Sequence, residues 1–210
     1  ELTLKITIDA KAELVKREMR VLTPGAMSNP IWFQVGQWEE RRETEPNDEP
    51  PDPVIGTTLP VVVNGQIMPG EVDRFSFTAR KGARLVIAAD ARELMPYLAD
   101  AVPGWFQAVL ALYDSTGNEV AYAGAYYYRQ DPVIYYEVPA DGTYVVEIRD
   151  SIYRGREDFV YRLTLGELPF VTGIFPLGAR AGQDVTVELQ GWNLVETQLK
   201  LRAIADRNRP

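Results

Sequence analysis

Between residues 59 and 167 the chain repeats one local pattern: a short apolar or alternating run, then a turn rich in Gly, Asp or Asn. Val61-Val62-Val63 runs into Asn64-Gly65, a dipeptide that favours a tight hairpin turn. Val72 to Thr78 alternates with Phe75 and Phe77 on one face, and Lys81-Gly82 turns the chain. Leu85 to Ala89 is continuously apolar, as a buried strand is. Residues 91–103 break the rhythm, with a short helical turn or loop around 93–98. Strands follow over Phe106–Tyr113, Glu119–Tyr122, Val133–Val138, Thr143–Ile148 and Phe159–Leu165, with turns at Asp114-Ser115-Thr116-Gly117 and Asp141-Gly142. Evenly spaced short strands of this kind predict an all-β fold, an antiparallel β-sandwich.

The two ends follow the same period. Leu2, Leu4, Ile6 and Ile8 alternate with Thr and Lys and predict a strand over 2–8, whereas 13–19 is too charged to assign. Arg20 to Thr23, the cluster Pro24 to Pro30, and Ile31 to Val35 read as a hairpin that closes a β-domain whose front is missing. Residues 168–210 read as a beginning, with Pro169 to Gly178, the alternating Val185 to Leu189, and Gly191-Trp192-Asn193-Leu194. The chain therefore reads as a segment of something longer. Its two ends are expected to complement each other in an immunoglobulin-like β-region, within one chain or between two molecules, because half a core leaves costly edges.

Joining the first hairpin to the sandwich is Glu43-Thr44-Glu45-Pro46-Asn47-Asp48-Glu49-Pro50-Pro51-Asp52-Pro53. Proline excludes a helix or an inner strand here and favours extended backbone. From Glu39 to Asp52 there are seven acids against Arg41 and Arg42, a local charge of 2 − 7 = −5. A solvated linker is one reading. The other is a hard-cation site, because Glu43, Glu45, Asn47 and Asp48 gather oxygen donors within a few residues. The expected division is 1–38 as the end of one domain, 39–58 as linker, 59–167 as the sandwich and 168–210 as the start of another domain.

Composition narrows the chemistry. The chain of 210 residues has net charge −8, which disfavours nucleic acid and anionic membranes. It has no Cys and no His, so disulfides, thiol chemistry, imidazole zinc sites and His-based triads are excluded. Its four serines, Ser28, Ser76, Ser115 and Ser151, lie in no G-x-S-x-G context, and no glycine-rich phosphate loop is present. No apolar run reaches membrane-spanning length, and residue 1 opens on strand-like sequence rather than a signal peptide. An enzyme is not expected.

Two resemblances sharpen this. Val21-x-Thr23-x-Gly25-x-x-Ser28-Asn29-x-x-x-Phe33-x-Val35 resembles the last hairpin of an IPT/TIG immunoglobulin-like domain, and residues 168–210 look like the opening strands of another. Glu45-Pro46-Asn47-Asp48, Asn64-Gly65-Gln66-Ile67, Asp73 to Phe77, Leu110 to Asp114 with Gly117, and Pro139 to Tyr144 resemble, in order, the bacterial pre-peptidase C-terminal domain. That resemblance covers about residues 43–167. It implies a jelly-roll-like β-sandwich, noncatalytic, appended to secreted proteases and other exported proteins. The collagen-binding domains of bacterial collagenases are similar and hold calcium from such a linker. By that likeness the ligands here are Glu43, Glu45, Asn47 and Asp48 with Asp73, while Gly70 stands where a second strand carboxylate is expected and Glu71 is the nearest acid.

A second candidate surface is aromatic. Adjacent tyrosines on a strand must face opposite sides, so Tyr126, Tyr127 and Tyr128 and the pair Tyr135-Tyr136 are expected to expose rings that could bind sugar or fibrous protein. The ordinary alternative is cross-strand packing. The reading is therefore a noncatalytic module of an exported bacterial protein, extracellular, surface-bound or periplasmic, for adhesion, spacing or presentation and stabilised by calcium. Its expected partners are other domains of the same protein, an extracellular protein or polysaccharide, and a second copy through the terminal segments. The alternative is a carbohydrate- or matrix-binding module.

Overall fold

The computed structural model describes residues 3–56, 59–94, 106–124 and 131–202. Strands β1 (Lys16–Met19), β2 (Leu22–Thr23), β3 (Ala26–Met27) and β4 (Ile31–Gln34) make the amino-terminal ribbon, with β1 antiparallel to β4 and β2 to β3. Next come β5 (Glu39–Arg42), β6 (Asp52–Gly56), β7 (Val61–Gln66), β8 (Asp73–Ala79) and β9 (Arg84–Asp90). A single 3-10 turn, Arg92–Leu94, precedes β10 (Ala108–Tyr113), β11 (Glu119–Ala123), β12 (Val133–Glu137), β13 (Gly142–Asp150) and β14 (Val160–Gly166). Strands β15 (Phe170–Phe175), β16 (Asp184–Trp192) and β17 (Gln198–Arg202) form a separate three-stranded sheet.

The centre is a sandwich of two five-stranded sheets, ordered β11-β10-β13-β8-β6 and β12-β9-β14-β7-β5. Alternation places the inner faces. Phe75, Phe77 and Ala79 of β8 point inward while Arg74, Ser76 and Thr78 point out. Val61 and Val63, Leu85 and Ile87, Leu110 and Leu112, Val146 and Ile148, and Leu163 and Leu165 complete the core. Phe106 stacks on Phe159 at 5.2 Å, and Phe77 on Tyr144 at 6.1 Å. A fully buried Leu or Phe contributes about 1.5–3 kcal/mol, so this inner layer dominates the stability of the sandwich.

Several expectations change. Residues 3–9 form no strand, and Leu4, Ile6 and Ile8 are each about half exposed, because no described sheet covers their apolar side. The charged stretches Lys16–Met19 and Glu39–Arg42 are strands, which a hydrophobic pattern does not reveal. Asn64-Gly65 is not a hairpin turn but lies inside β7, paired with Arg162 and Tyr161. Among the described residues no strand of the amino-terminal ribbon pairs with one of the carboxy-terminal sheet. The two ends instead touch the outer face of the same sandwich sheet. Phe170 and Trp192 pack with Trp38, Val86, Tyr135 and Leu168 on it, and Trp32 and Phe33 border a cavity lined also by Asn64 and Arg162.

The acidic stretch is more than a spacer. Its first end, β5, runs parallel to β7 in one sheet, and its other end, β6, runs parallel to β8 in the opposite sheet. Residues 43–51 therefore cross the end of the sandwich and tie the two sheets together. Both strands sit at edges, where proline and charge are tolerated.

Candidate metal centre

That crossing brings Glu43 and Glu45 against Asp73, the first residue of β8. One carboxylate oxygen of each lies within 4.8 Å of the others. Asp73 and Asn47 are fully buried. Asn47 is fixed by its surroundings: its amide nitrogen donates to Glu45 Oε1 at 3.0 Å, its backbone N–H to Glu45 Oε2 at 3.1 Å, and its carbonyl accepts from the Arg74 N–H at 3.3 Å. Glu43 Oε1 accepts from the Gln66 N–H at 2.8 Å.

The cluster is short of donors. The Tyr161 hydroxyl lies 2.9 Å from Glu43 Oε2 and 2.5 Å from Asp73 Oδ2, and it has one proton for two carboxylates. Asn47 Oδ1 and Asp73 Oδ1 are buried and accept no hydrogen bond. Burial, outweighing the Tyr161 hydrogen bond and reinforced by Glu43, pushes Asp73 up to about 9. Glu43 is raised by burial, and Glu45 by burial and then by repulsion from Glu71 and Glu43. Burial also holds the Tyr161 phenol well above its ordinary value. Converging carboxylates, two unsatisfied buried oxygens and carboxyl pKa values raised by burial are what a divalent cation would relieve, since it supplies positive charge and accepts several hard oxygens. The residues fit such an ion: Glu43, Glu45, Asp73 and the amide oxygen of Asn47 would hold it.

Of the residues expected from sequence, the structure therefore brings together Glu43, Glu45, Asn47 and Asp73. Asp48 does not join them. It is exposed, its backbone carbonyl accepts from Arg74 Nη1 at 3.0 Å, and its charge still reaches Glu45, whose pKa it helps to raise. Glu71 accepts from the Met68 N–H at 2.6 Å and stays close enough to raise Glu43, Glu45 and Asp73 by repulsion. Sequence reading missed Tyr161, which is 118 positions from Glu43 and patterned as an ordinary core residue. It also missed Gly65, where an added Cβ would overlap Glu43 Oε2 and the Tyr161 ring.

A second acidic group, Asp90, Glu93 and Asp131, differs in kind. Asp131 accepts the N–H groups of Ala91, Arg92 and Glu93 at 2.8–3.0 Å and so caps the 3-10 turn. Glu93 pairs with Lys16 of the amino-terminal ribbon. The candidate tyrosines 126, 127 and 128 lie outside the described residues. The Tyr135-Tyr136 pair does face two ways, but neither ring is free: Tyr135 stacks on Trp192 at 5.0 Å and Tyr136 packs edge-on to Tyr144 at 6.1 Å.

The family model of the bacterial pre-peptidase C-terminal domain matches residues 71–150. Several solved structures are similar to the chain, three of them as follows. The pre-peptidase C-terminal domain of a Bacillus anthracis collagenase is 14% identical, with 63% of this chain and 99% of that one covered and a TM-score of 0.38. The periplasmic g-type lysozyme inhibitor PliG of Aeromonas hydrophila is 9% identical, with 62% and 98% covered and a TM-score of 0.37. A mutant of the Escherichia coli inhibitor is 12% identical, with 61% and 97% covered and a TM-score of 0.35. No curated protein matches the chain. Among the described residues no helix is long and apolar enough to cross a membrane. Residues 71–150, which run from just before β8 to the end of β13 within the sandwich, thus match the bacterial pre-peptidase C-terminal domain, and two further β-regions flank the sandwich on either side.

Proposed function

We propose that this segment is a noncatalytic structural module of an exported bacterial protein, in which a calcium ion locks the acidic crossing to the sandwich. The observation that carries the reading is the pair of buried, unpartnered oxygens, Asn47 Oδ1 and Asp73 Oδ1, among the carboxylates of Glu43, Glu45 and Asp73. An ion held there ties residues 43–47 to the start of β8. The amino-terminal ribbon enters the sandwich through β5, which ends at Arg42. Fixing Glu43 therefore fixes the angle at which the preceding region leaves the sandwich. The work is mechanical: spacing, adhesion or presentation of neighbouring domains outside the cytoplasm, with TIG-like flanks as the adjoining modules.

Isothermal titration with calcium tests this. We expect one site with Kd of about 0.1–1 mM, the range of extracellular modules. Glu45→Gln, at an exposed position, is expected to weaken it roughly tenfold by removing one charged ligand. No saturable heat with the parent chain would reject the reading.

A further inference from the structure

We propose that the space between the amino-terminal ribbon and the second sandwich sheet is a binding cleft for a carboxylate carried on an apolar body. The cleft has a volume of about 760 Å³. Its apolar lining comes from Ile31, Trp32 and Phe33 of the ribbon with Ile8, Leu94 and Val160. The floor is polar, and its hydrogen bonds are already closed. Arg162 holds Glu40 at 2.6 and 2.9 Å and Asn64 Oδ1 at 3.1 Å, and Asn64 Nδ2 donates to Glu40 at 2.7 Å.

Two donors of the lining stand out. Gln34 Nε2 is buried without a partner. The Arg42 guanidinium makes no hydrogen bond or ion pair with any described residue, whereas its neighbour Arg41 pairs with Glu39 at 2.9 Å. The lining carries Arg41, Arg42 and Arg162 against Glu40 and Glu43, so 3 − 2 = +1, on a chain whose net charge is −8. A carboxylate brings acceptors alone and gains charge-assisted bonds from Arg42 and Gln34. The indole and aliphatic wall takes the apolar body. This cleft stands whether or not the crossing holds a cation.

Such a group can come from a fatty acid or from the carboxy terminus of a peptide ending in an apolar residue, and the experiment separates them. Calorimetry on the whole chain would use decanoate and decanol in one arm, and in the other a tetrapeptide ending in Leu with a free or an amidated terminus. One-to-one binding by decanoate or by the free-acid peptide is expected, with decanol or the amide at least about tenfold weaker. Arg42→Ala, on an exposed edge position, should weaken the acid by roughly tenfold or more and leave the neutral compound unchanged. Trp32→Ala should weaken both. The proposal is overturned if neither acid binds at a single site, if the neutral compounds bind as tightly as the acids, or if Arg42→Ala binds like the parent.

Discussion

Replacing Asp73 by Asn should act in opposite directions with and without calcium. Without the ion, Asp73 keeps its proton in the folded chain up to about pH 9, because burial disfavours the charge and Glu43 repels it. The unfolded chain loses that proton near pH 3.9, so at pH 7 folding must retain a proton against about three pKa units, or roughly 4 kcal/mol. Asn has the same shape, carries no charge and keeps its amide donors at every pH, so folding need not retain a proton there. Allowing for relaxation of the site, Asp73→Asn should raise stability by about 2–4 kcal/mol in chelator, or roughly 5–15 °C in Tm for a chain of this size. Calcium at a hundredfold excess over Kd should stabilise the parent by about 2.7 kcal/mol and the variant hardly at all. Differential scanning calorimetry of both proteins at pH 7, in chelator and in calcium, reads all four values. A variant that melts below its parent in chelator, or that keeps the calcium shift, would refute the reasoning.

Three further outcomes follow from the same geometry. In chelator the stability of the parent should fall as pH rises from about 5 to about 8, because the raised folded-state pKa values of Asp73 and Glu43 leave the unfolded chain binding fewer protons than the folded one; calcium should flatten that slope in urea melts run across the range. Gly65→Ala should lower Tm and weaken calcium binding together, since its Cβ would overlap Glu43 Oε2 and Tyr161; an unchanged calcium isotherm would show that Glu43 is not a ligand. Asp150→Ala should cost about 3–5 kcal/mol in chemical denaturation, because the buried carboxylate accepts from the N–H groups of Gln107, Ile152 and Arg154 and from the Arg154 guanidinium. Burial alone would raise Asp150, but Arg154 and these N–H groups hold it below the usual range, so calcium should not alter this loss.

What the sequence determined by itself was the local order. Period-two runs such as Val72 to Thr78 specified inward Phe75 and Phe77, since alternation is a property of the strand and needs no partner. Turn chemistry at Asp114 to Gly117 and Asp141-Gly142 marked where strands end, and the prolines marked a segment confined to edges. Four of the five residues chosen as cation ligands converge, because three of them lie within five positions of chain and Asp73 opens a recognisable strand. Tertiary structure decided the rest. Only the crossing from one sheet to the other puts Tyr161 between Glu43 and Asp73, and only the pairing of β7 with β14 makes Asn64-Gly65 part of a strand. Leu2 to Ile8 shows the converse: alternation supplies a face, but a strand forms only where another strand can take its hydrogen bonds and another layer its apolar side.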